Sequence, residues 1–330
     1  MSEQEKEIAP ASPVLQDFKA PVFTDNKLVL YFHPYNFYSQ KVLLVLYEKN
    51  IDFTPYVVDL CNGEQYSSWF LNLNPKGDVP VLQDGAFVIP NSHHIINYVE
   101  SKFRGEEHPK LKPSQDSKEF DDVMVYEQAL GRLPIGALSL GSFVHDDLKL
   151  VPKAPFIGPV RQSCLKNNDK VLDLLRRSLE ELEPHNKSAL EHKLDIQLRR
   201  KDLVSSRDDF QRVLDAVRHV LLYVEQELSR KSPRTDWLIG DQLTLADVSL
   251  GLLLHRLYQL GFENYYWSYG KLPQVENYFL RFKQRQSYHK LQPSNFEILK
   301  EMWSKTPGNY KIGAGAGFLG MAMFAAFAHK

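Results

Sequence analysis

"KGDVPVLQDGAFVI", residues 76–89, sets a proline one step ahead of a run of strand formers. Pro80 has no N–H to give to a ladder, so it belongs at the head of a strand. Val79-Pro80 is therefore a candidate cis peptide, a form that is essentially confined to X-Pro bonds. Further on, two apolar runs flank Asp84-Gly85, a pair that accepts positive φ. The pattern predicts a β-hairpin closed by a type I′ turn.

Upstream, "KLVLYF" (27–32) reads as a buried strand and "SQKVLLVLYEKN" (39–50) as a helix that is apolar on most faces. Asn50 tolerates the left-handed position that closes such a helix. "IDFTPYVVDL" (51–60) is a second strand, which makes a βαβ unit with a parallel pair. "SSWFLNLNP" (67–75) predicts a short helix. Downstream of the hairpin, "SHHIINYVESKF" (92–103) puts Ile95, Ile96, Val99 and Phe103 on one helical face. The order over residues 27–104 is β-α-β-α-β-β-α.

A polar, proline-bearing linker (105–117) then leads into a region with a period near 3.6. Helical segments are expected near 118–143, 159–183, 187–203, 206–230, 244–260 and 273–286. The stretch 185–212 has few apolar positions and dense mixed charge, which reads as a solvated helical insertion. In "QLTLADVSLGLLL" (242–254), Thr244 and Asp247 stand three apart as a short capping box, with Leu243 and Val248 at the staple positions.

Composition narrows the function classes. The 330 residues carry a net charge of -1, with 43% apolar and 25% charged residues. A near-neutral chain has no general electrostatic pull towards nucleic acid, so no nucleic-acid partner is expected. Cys61 and Cys164 belong to no C-x-x-C pair, which points to a reducing compartment and away from a zinc frame. His93 and His94 have no third ligand at suitable spacing, so no metal site is expected. Residues 1–26 hold Glu3, Glu5, Glu7 and three prolines with no apolar run, and read as a disordered leader without a targeting signal.

"GAGFLG" (315–320) matches the G-x-G-x-x-G fingerprint of a dinucleotide loop. That loop must follow a strand, open a helix and precede an acid by about twenty residues. Gly320 is followed by ten residues, none acidic, so the cofactor reading fails. The surrounding 17 uncharged residues, 312–328, fit a transmembrane tail anchor better. At about 1.5 Å per residue they span roughly 26 Å, close to the ~30 Å hydrocarbon core. Lys305 and Lys311 flank one end, His329 and Lys330 the other, and Gly313 and Gly317 form a G-x-x-x-G pairing face.

The order β-α-β-α-β-β-α with "GDVPVL", followed by helices containing "LTLADVSL", resembles a glutathione transferase. The charged helices around 165–205, the run "SQKV" and the hydrophobic C-terminus extend the likeness. They resemble the ganglioside-induced differentiation-associated proteins, a transferase-like family anchored by a tail in the mitochondrial outer membrane. The resemblance implies an α/β thioredoxin-like N-terminal domain (27–104) and an all-α glutathione-transferase C-terminal domain (118–304). The second domain would carry a charged helical insertion, about 165–205, and the chain would end in the C-terminal transmembrane helix. It also implies a bulk that faces the cytosol and a role in mitochondrial fission, network shape and redox state. Partners would be the outer membrane, organelle-contact or cytoskeletal proteins and a second copy in a homodimer.

The resemblance assigns site residues as well. Asn36 falls where many transferases carry the Ser or Cys that stabilises the glutathione thiolate. Tyr31, Tyr35, Tyr38 and Ser39 are the neighbouring hydroxyls, of which Tyr31 and Ser39 are the candidates for that role. Val79, before Pro80, would clasp the peptide backbone of glutathione, and Asn91-Ser92 replaces a Glu-Ser pair. The sequence fixes no catalytic residue and no cofactor; glutathione is the ligand implied. Two of three site elements depart from the pattern, so at most a weak glutathione transferase is expected. The favoured expectation is an adaptor or sensor. The alternatives are a membrane-bound transferase conjugating a small electrophile and a non-enzymatic binder of hydrophobic ligands.

Overall fold

The computed structural model describes residues 18–23, 28–181, 184–230, 236–294, 297–300 and 303. The tail segment 312–328 lies outside them, as does most of the leader. Among the described residues, no helix is long and apolar enough to cross a membrane.

The N-terminal unit runs β1 (Leu28–Phe32), α1 (Phe37–Glu48), β2 (Thr54–Val57), a 3-10 turn (Glu64–Tyr66), α2 (Ser68–Leu73), β3 (Val81–Asp84), β4 (Phe87–Pro90) and α3 (Ser92–Lys102). The sheet order is β2-β1-β3-β4. β1 pairs with β2 in parallel, while β3 is antiparallel to both β1 and β4. All five residues of β1 are buried because both sheet faces are covered. The two-residue period of a strand sends Leu28, Leu30 and Phe32 to one face, in a core with α1 and with Ile95, Ile96 and Val99 of α3. Val29 and Tyr31 go to the other face, against Phe70 of α2. Phe23, within the stretch read as leader, packs edge-on to Tyr31 with ring centroids 6.1 Å apart.

Val79-Pro80 is cis, as the sequence predicts, and Asn50 adopts the expected positive φ of 52° after α1. The hairpin turn differs from expectation. Asp84 pairs with Phe87, so Gly85-Ala86 is the loop, and only Gly85 has positive φ. That is the pattern of a II′ turn, which needs glycine at its first central position, rather than the expected I′.

The second domain contains α4 (Lys118–Gly131), α5 (Ile135–Val144), α6 (Gly158–Glu181), α7 (Pro184–Ser205), α8 (Arg207–Ser229), α9 (Leu245–Leu260), α10 (Glu263–Tyr266), α11 (Pro273–Lys283) and α12 (Gln286–Leu291). The single helix expected over 118–143 is two helices. Pro134 removes a backbone donor and disfavours helical backbone at Leu133, so the chain breaks there.

Helix α9 is the axle of this domain, with all but one of its 16 residues buried. Its capping-box carboxylate is in place: Asp247 Oδ2 accepts from the N–H and the hydroxyl of Thr244, each at 2.8 Å. Asp247 Oδ1 accepts from Leu238 N–H at 2.7 Å and from the Tyr278 hydroxyl at 2.8 Å. Four donors thus satisfy one fully buried carboxyl, which is what makes its burial tolerable. Burial still pushes its pKa up, against the lowering effect of those hydrogen bonds.

The insertion is less solvated than its composition suggests. Leu190 of α7 is fully buried with Leu174 and Leu175 of α6 and with Tyr66 and Leu71 of the N-terminal unit. The hairpin α6–α7 therefore folds back onto the thioredoxin-like domain.

Candidate ligand site at one end of the sheet

Three segments meet at one edge of the sheet because of strand register. Tyr31 is paired with Val81, and Val81 with Pro90. The end of β1, the start of β3 and the end of β4 are therefore neighbours. Each leads at once into a site segment: residues 33–39, the bond Val79-Pro80, and Asn91-Ser92.

Asn36 is the N-cap of α1, and its Oδ1 accepts from Ser39 N–H at 2.9 Å. Ser39 is fully buried, and its Oγ accepts from His33 N–H at 3.3 Å. Tyr31 donates its hydroxyl to Gln83 Oε1 at 2.7 Å and is 3% exposed. Its ring sits against Tyr56 and Trp69, with centroids 5.5 and 6.0 Å away, and burial raises the pKa of its phenol. Tyr31 thus spends its proton within the protein and Ser39 is buried, while the half-buried Asn36 uses its side-chain oxygen to cap α1. Tyr38 is different: it is half exposed, and its phenol is raised first by burial and then by the nearby Asp78 carboxylate.

The binding candidates gather as the register requires. Val79 and Pro80 are buried at the base of the loop, whose Asp78 carbonyl accepts from Asn74 Nδ2 at 2.8 Å. Asn91 has φ 76° and ψ 128°, a sparsely populated region for a residue with a side chain. Its Oδ1 accepts from His93 N–H at 2.8 Å, which caps α3. Such backbone persists where its surroundings fix it, most often at ligand clamps and active sites. Ser92 follows as the first helical residue, partly exposed, where the helix dipole favours an anion.

Two cations from the helical domain brace this end of the sheet. Arg256 of α9 donates to Tyr35 C=O at 2.8 Å, to Gln40 Oε1 at 3.0 Å and to Ser139 Oγ at 3.3 Å. Its guanidinium also faces the rings of Phe156 and Phe37, 5.2 and 5.9 Å from their centroids. Burial depresses it to about 10. Lys193 of α7 reaches the loop before Val79. Neither residue was singled out by sequence reasoning. A signal existed for the first: "LLLHRLYQL" (252–260) sets an arginine inside an apolar helix, which is costly unless its donors are met. For the second there was none, because Lys193 is one charge among many on α7. Among the described residues, no group of three His, Cys, Asp or Glu side chains is placed to hold a metal ion.

A thioredoxin-like sheet with a cis-proline loop, joined through a shared core to an all-helical domain, defines the glutathione S-transferase class. Comparison with known sequences agrees: the glutathione S-transferase N-terminal domain family matches residues 30–107, and the C-terminal domain family matches 188–286. The human protein "Ganglioside-induced differentiation-associated protein 1-like 1" is 31% identical over 276 residues, covering 81% of this chain and 74% of its own. The chain belongs to the ganglioside-induced differentiation-associated protein family, within the glutathione transferase class. Among solved structures, the β-etherase LigF of Sphingobium sp. strain SYK-6 matches with a TM-score of 0.59 at 22% identity, over 80% of this chain and 98% of that one. Ure2p in complex with glutathione matches with a TM-score of 0.53 at 17% identity, over 81% and 98%. These two likenesses are of fold.

Proposed function

We propose that this protein is a tail-anchored protein of the mitochondrial outer membrane whose transferase-like body faces the cytosol. It acts there as an adaptor or sensor in fission, network shape and redox state, and its ligand is glutathione. The observation that carries the non-catalytic reading is that Tyr31 donates its only proton to Gln83 and Ser39 is fully buried, while position 36 holds an amide rather than a hydroxyl or thiol. A transferase must offer a donor to the thiolate, and a missing donor is felt because one unit of pKa depression is worth about 1.4 kcal/mol. The cis-proline loop and the strained Asn91 keep the form of a peptide clasp. Binding without activation is the behaviour that this combination supports.

The anchoring reading rests on the uncharged run 312–328 and on the family. Its partners would be the membrane, proteins at organelle contacts or of the cytoskeleton, and a second copy of the chain. Deleting 306–330 is expected to release the protein from mitochondria and to abolish any effect on the network. A truncated protein that still reshapes mitochondria would sink the proposal. In parallel, calorimetry is expected to show glutathione binding with no detectable conjugation of a model electrophile; turnover would restore the transferase reading.

A further inference from the structure

The ammonium of Lys193 leaves the inserted helix α7 and enters the loop that precedes the cis-proline. It donates to Gly77 C=O at 2.6 Å, to Lys76 C=O at 3.0 Å and to Asp78 Oδ1 at 2.6 Å. The ring of Tyr66 lies beneath it, 5.2 Å from nitrogen to centroid. The lysine side chain is 11% exposed while that of Asp78 is 59% exposed, so the cation sits inside and under the loop rather than across its mouth. Burial lowers the ammonium's pKa, but Tyr66 and Asp78 outweigh it and hold lysine above its ordinary range.

The other side of the loop is fixed as well. Gly77 has φ +56°, and a Cβ there would stand 2.9 Å from Gln65 C=O and from the Tyr66 ring. The loop is thus pressed onto Tyr66 on one side and bonded to Lys193 on another. Leu190, one turn before Lys193, is fully buried in the same contact. Asp78 also faces Tyr38 at the start of α1.

We propose that Lys193 is a positioning residue for the cis-proline loop, so that the α6–α7 insertion sets the affinity of that loop for its ligand. The lysine takes up the carbonyls of residues 76 and 77 and neutralises Asp78. The peptide groups of Val79 are then presented in a fixed direction. The affinity part rests on the reading of glutathione as the ligand; the bracing part does not.

The test uses the full-length protein in detergent micelles, with Lys193→Met, Lys193→Arg and Asp78→Asn. Hydrogen exchange is followed in residues 74–80 and 184–205, and glutathione binding is followed by calorimetry. Lys193→Met is expected to speed exchange of 74–80 about tenfold or more and to weaken glutathione by a similar factor. Lys193→Arg, which keeps the charge and the donors, is expected to restore most of both. Asp78→Asn, which removes the one negative charge among the three acceptors and leaves the two carbonyls, is the variant to read if Lys193→Met does not fold, and it should show a smaller change of the same sign. Unchanged exchange in 74–80, or equal glutathione affinity in wild type and Lys193→Met, overturns the proposal. If the loop loosens as expected and neither protein binds glutathione, the bracing stands and the ligand assignment falls.

Discussion

The guanidinium of Arg256, on the central helix of the helical domain, donates to the carbonyl of Tyr35 in the turn that launches α1, 2.8 Å away. The same nitrogen donates to Gln40 in the first turns of that helix. This side chain therefore ties the start of α1, where Asn36 caps it, to the second domain. Replacing Arg256 by Met removes this donor from the half-buried Tyr35 C=O and from the buried Gln40 Oε1. Each unsatisfied group costs about 1–3 kcal/mol, so a loss of about 2–4 kcal/mol is expected in urea unfolding. Arg256→Lys should recover only part of it, because an ammonium lacks the planar fork that meets two acceptors. A loss below about 1 kcal/mol in Arg256→Met would show that the contact does not hold the domains together.

His255, next to Arg256, is 2% exposed, with Nδ1 3.1 Å from the Tyr288 hydroxyl. Burial, reinforced by Arg256 and Lys283, lowers its pKa to about 3. The folded protein thus keeps this imidazole neutral while the unfolded chain takes up a proton near pH 6.5. Between those values the unfolded state binds more protons, so acidification favours unfolding. The contribution is complete above about pH 6.5 and falls by about 1.4 kcal/mol per unit as pH drops towards 3. Stability measured from pH 6.5 to 4.5 should have a shallower slope in His255→Gln than in wild type. Parallel curves would mean that the histidine is not buried neutral.

Gly141 of α5 lies under Phe210 of α8, and a Cβ at that position would stand 2.1 Å from the ring. The phenylalanine is fully buried and stacked on His145 at 4.9 Å, so it has no free space to enter. Gly141→Ala should gain helix propensity of up to about 1 kcal/mol and lose more to overpacking, which costs about 1–3 kcal/mol. Thermal unfolding is expected to fall by several degrees. The double substitution Gly141→Ala with Phe210→Leu should recover part of that loss; an unchanged midpoint in the single variant would contradict the packing.

Asn36 caps α1 through its side-chain oxygen. Asn36→Ala should cost about 1 kcal/mol of stability, whereas Asn36→Ser keeps a cap of similar strength. The serine also supplies a hydroxyl at the start of α1, where the dipole favours a thiolate. Conjugation of a model electrophile to glutathione is expected to rise in Asn36→Ser and to stay at background in Asn36→Ala. Equal background rates in both would mean that the amide at this position is not what silences the site.

The N-terminal fold was legible because its signals are local. Pro80 and Asn50 each act on the backbone at their own position, and β1 is an unbroken run of apolar strand formers. Thr244 and Asp247 did the same for α9. The type of hairpin turn is not legible in the sequence because Asp84 is a strand residue here, and register is a property of two strands. The helix break at Pro134 is masked in the sequence because apolar periodicity runs on across it. The candidate positions Val79 and Asn91 adjoin paired strand ends, so the sheet topology brings them close together. Arg256 and Lys193 reach the site from helices more than a hundred residues away in sequence, and no local pattern marks such a contact. The second cis peptide, Ala154-Pro155, also had no flanking strand to announce it.

Glu48, at the end of α1, takes both Arg285 Nε and Nη2 at 2.6 Å, with the Ser287 hydroxyl on the same carboxylate. Arg285 and Ser287 stand at the head of α12, the last helix before residue 294. A tension applied to whatever lies downstream would therefore not peel the helical domain away alone. It would be carried through a two-pronged ionic clasp into the first helix of the sheet domain, so that both halves share the load.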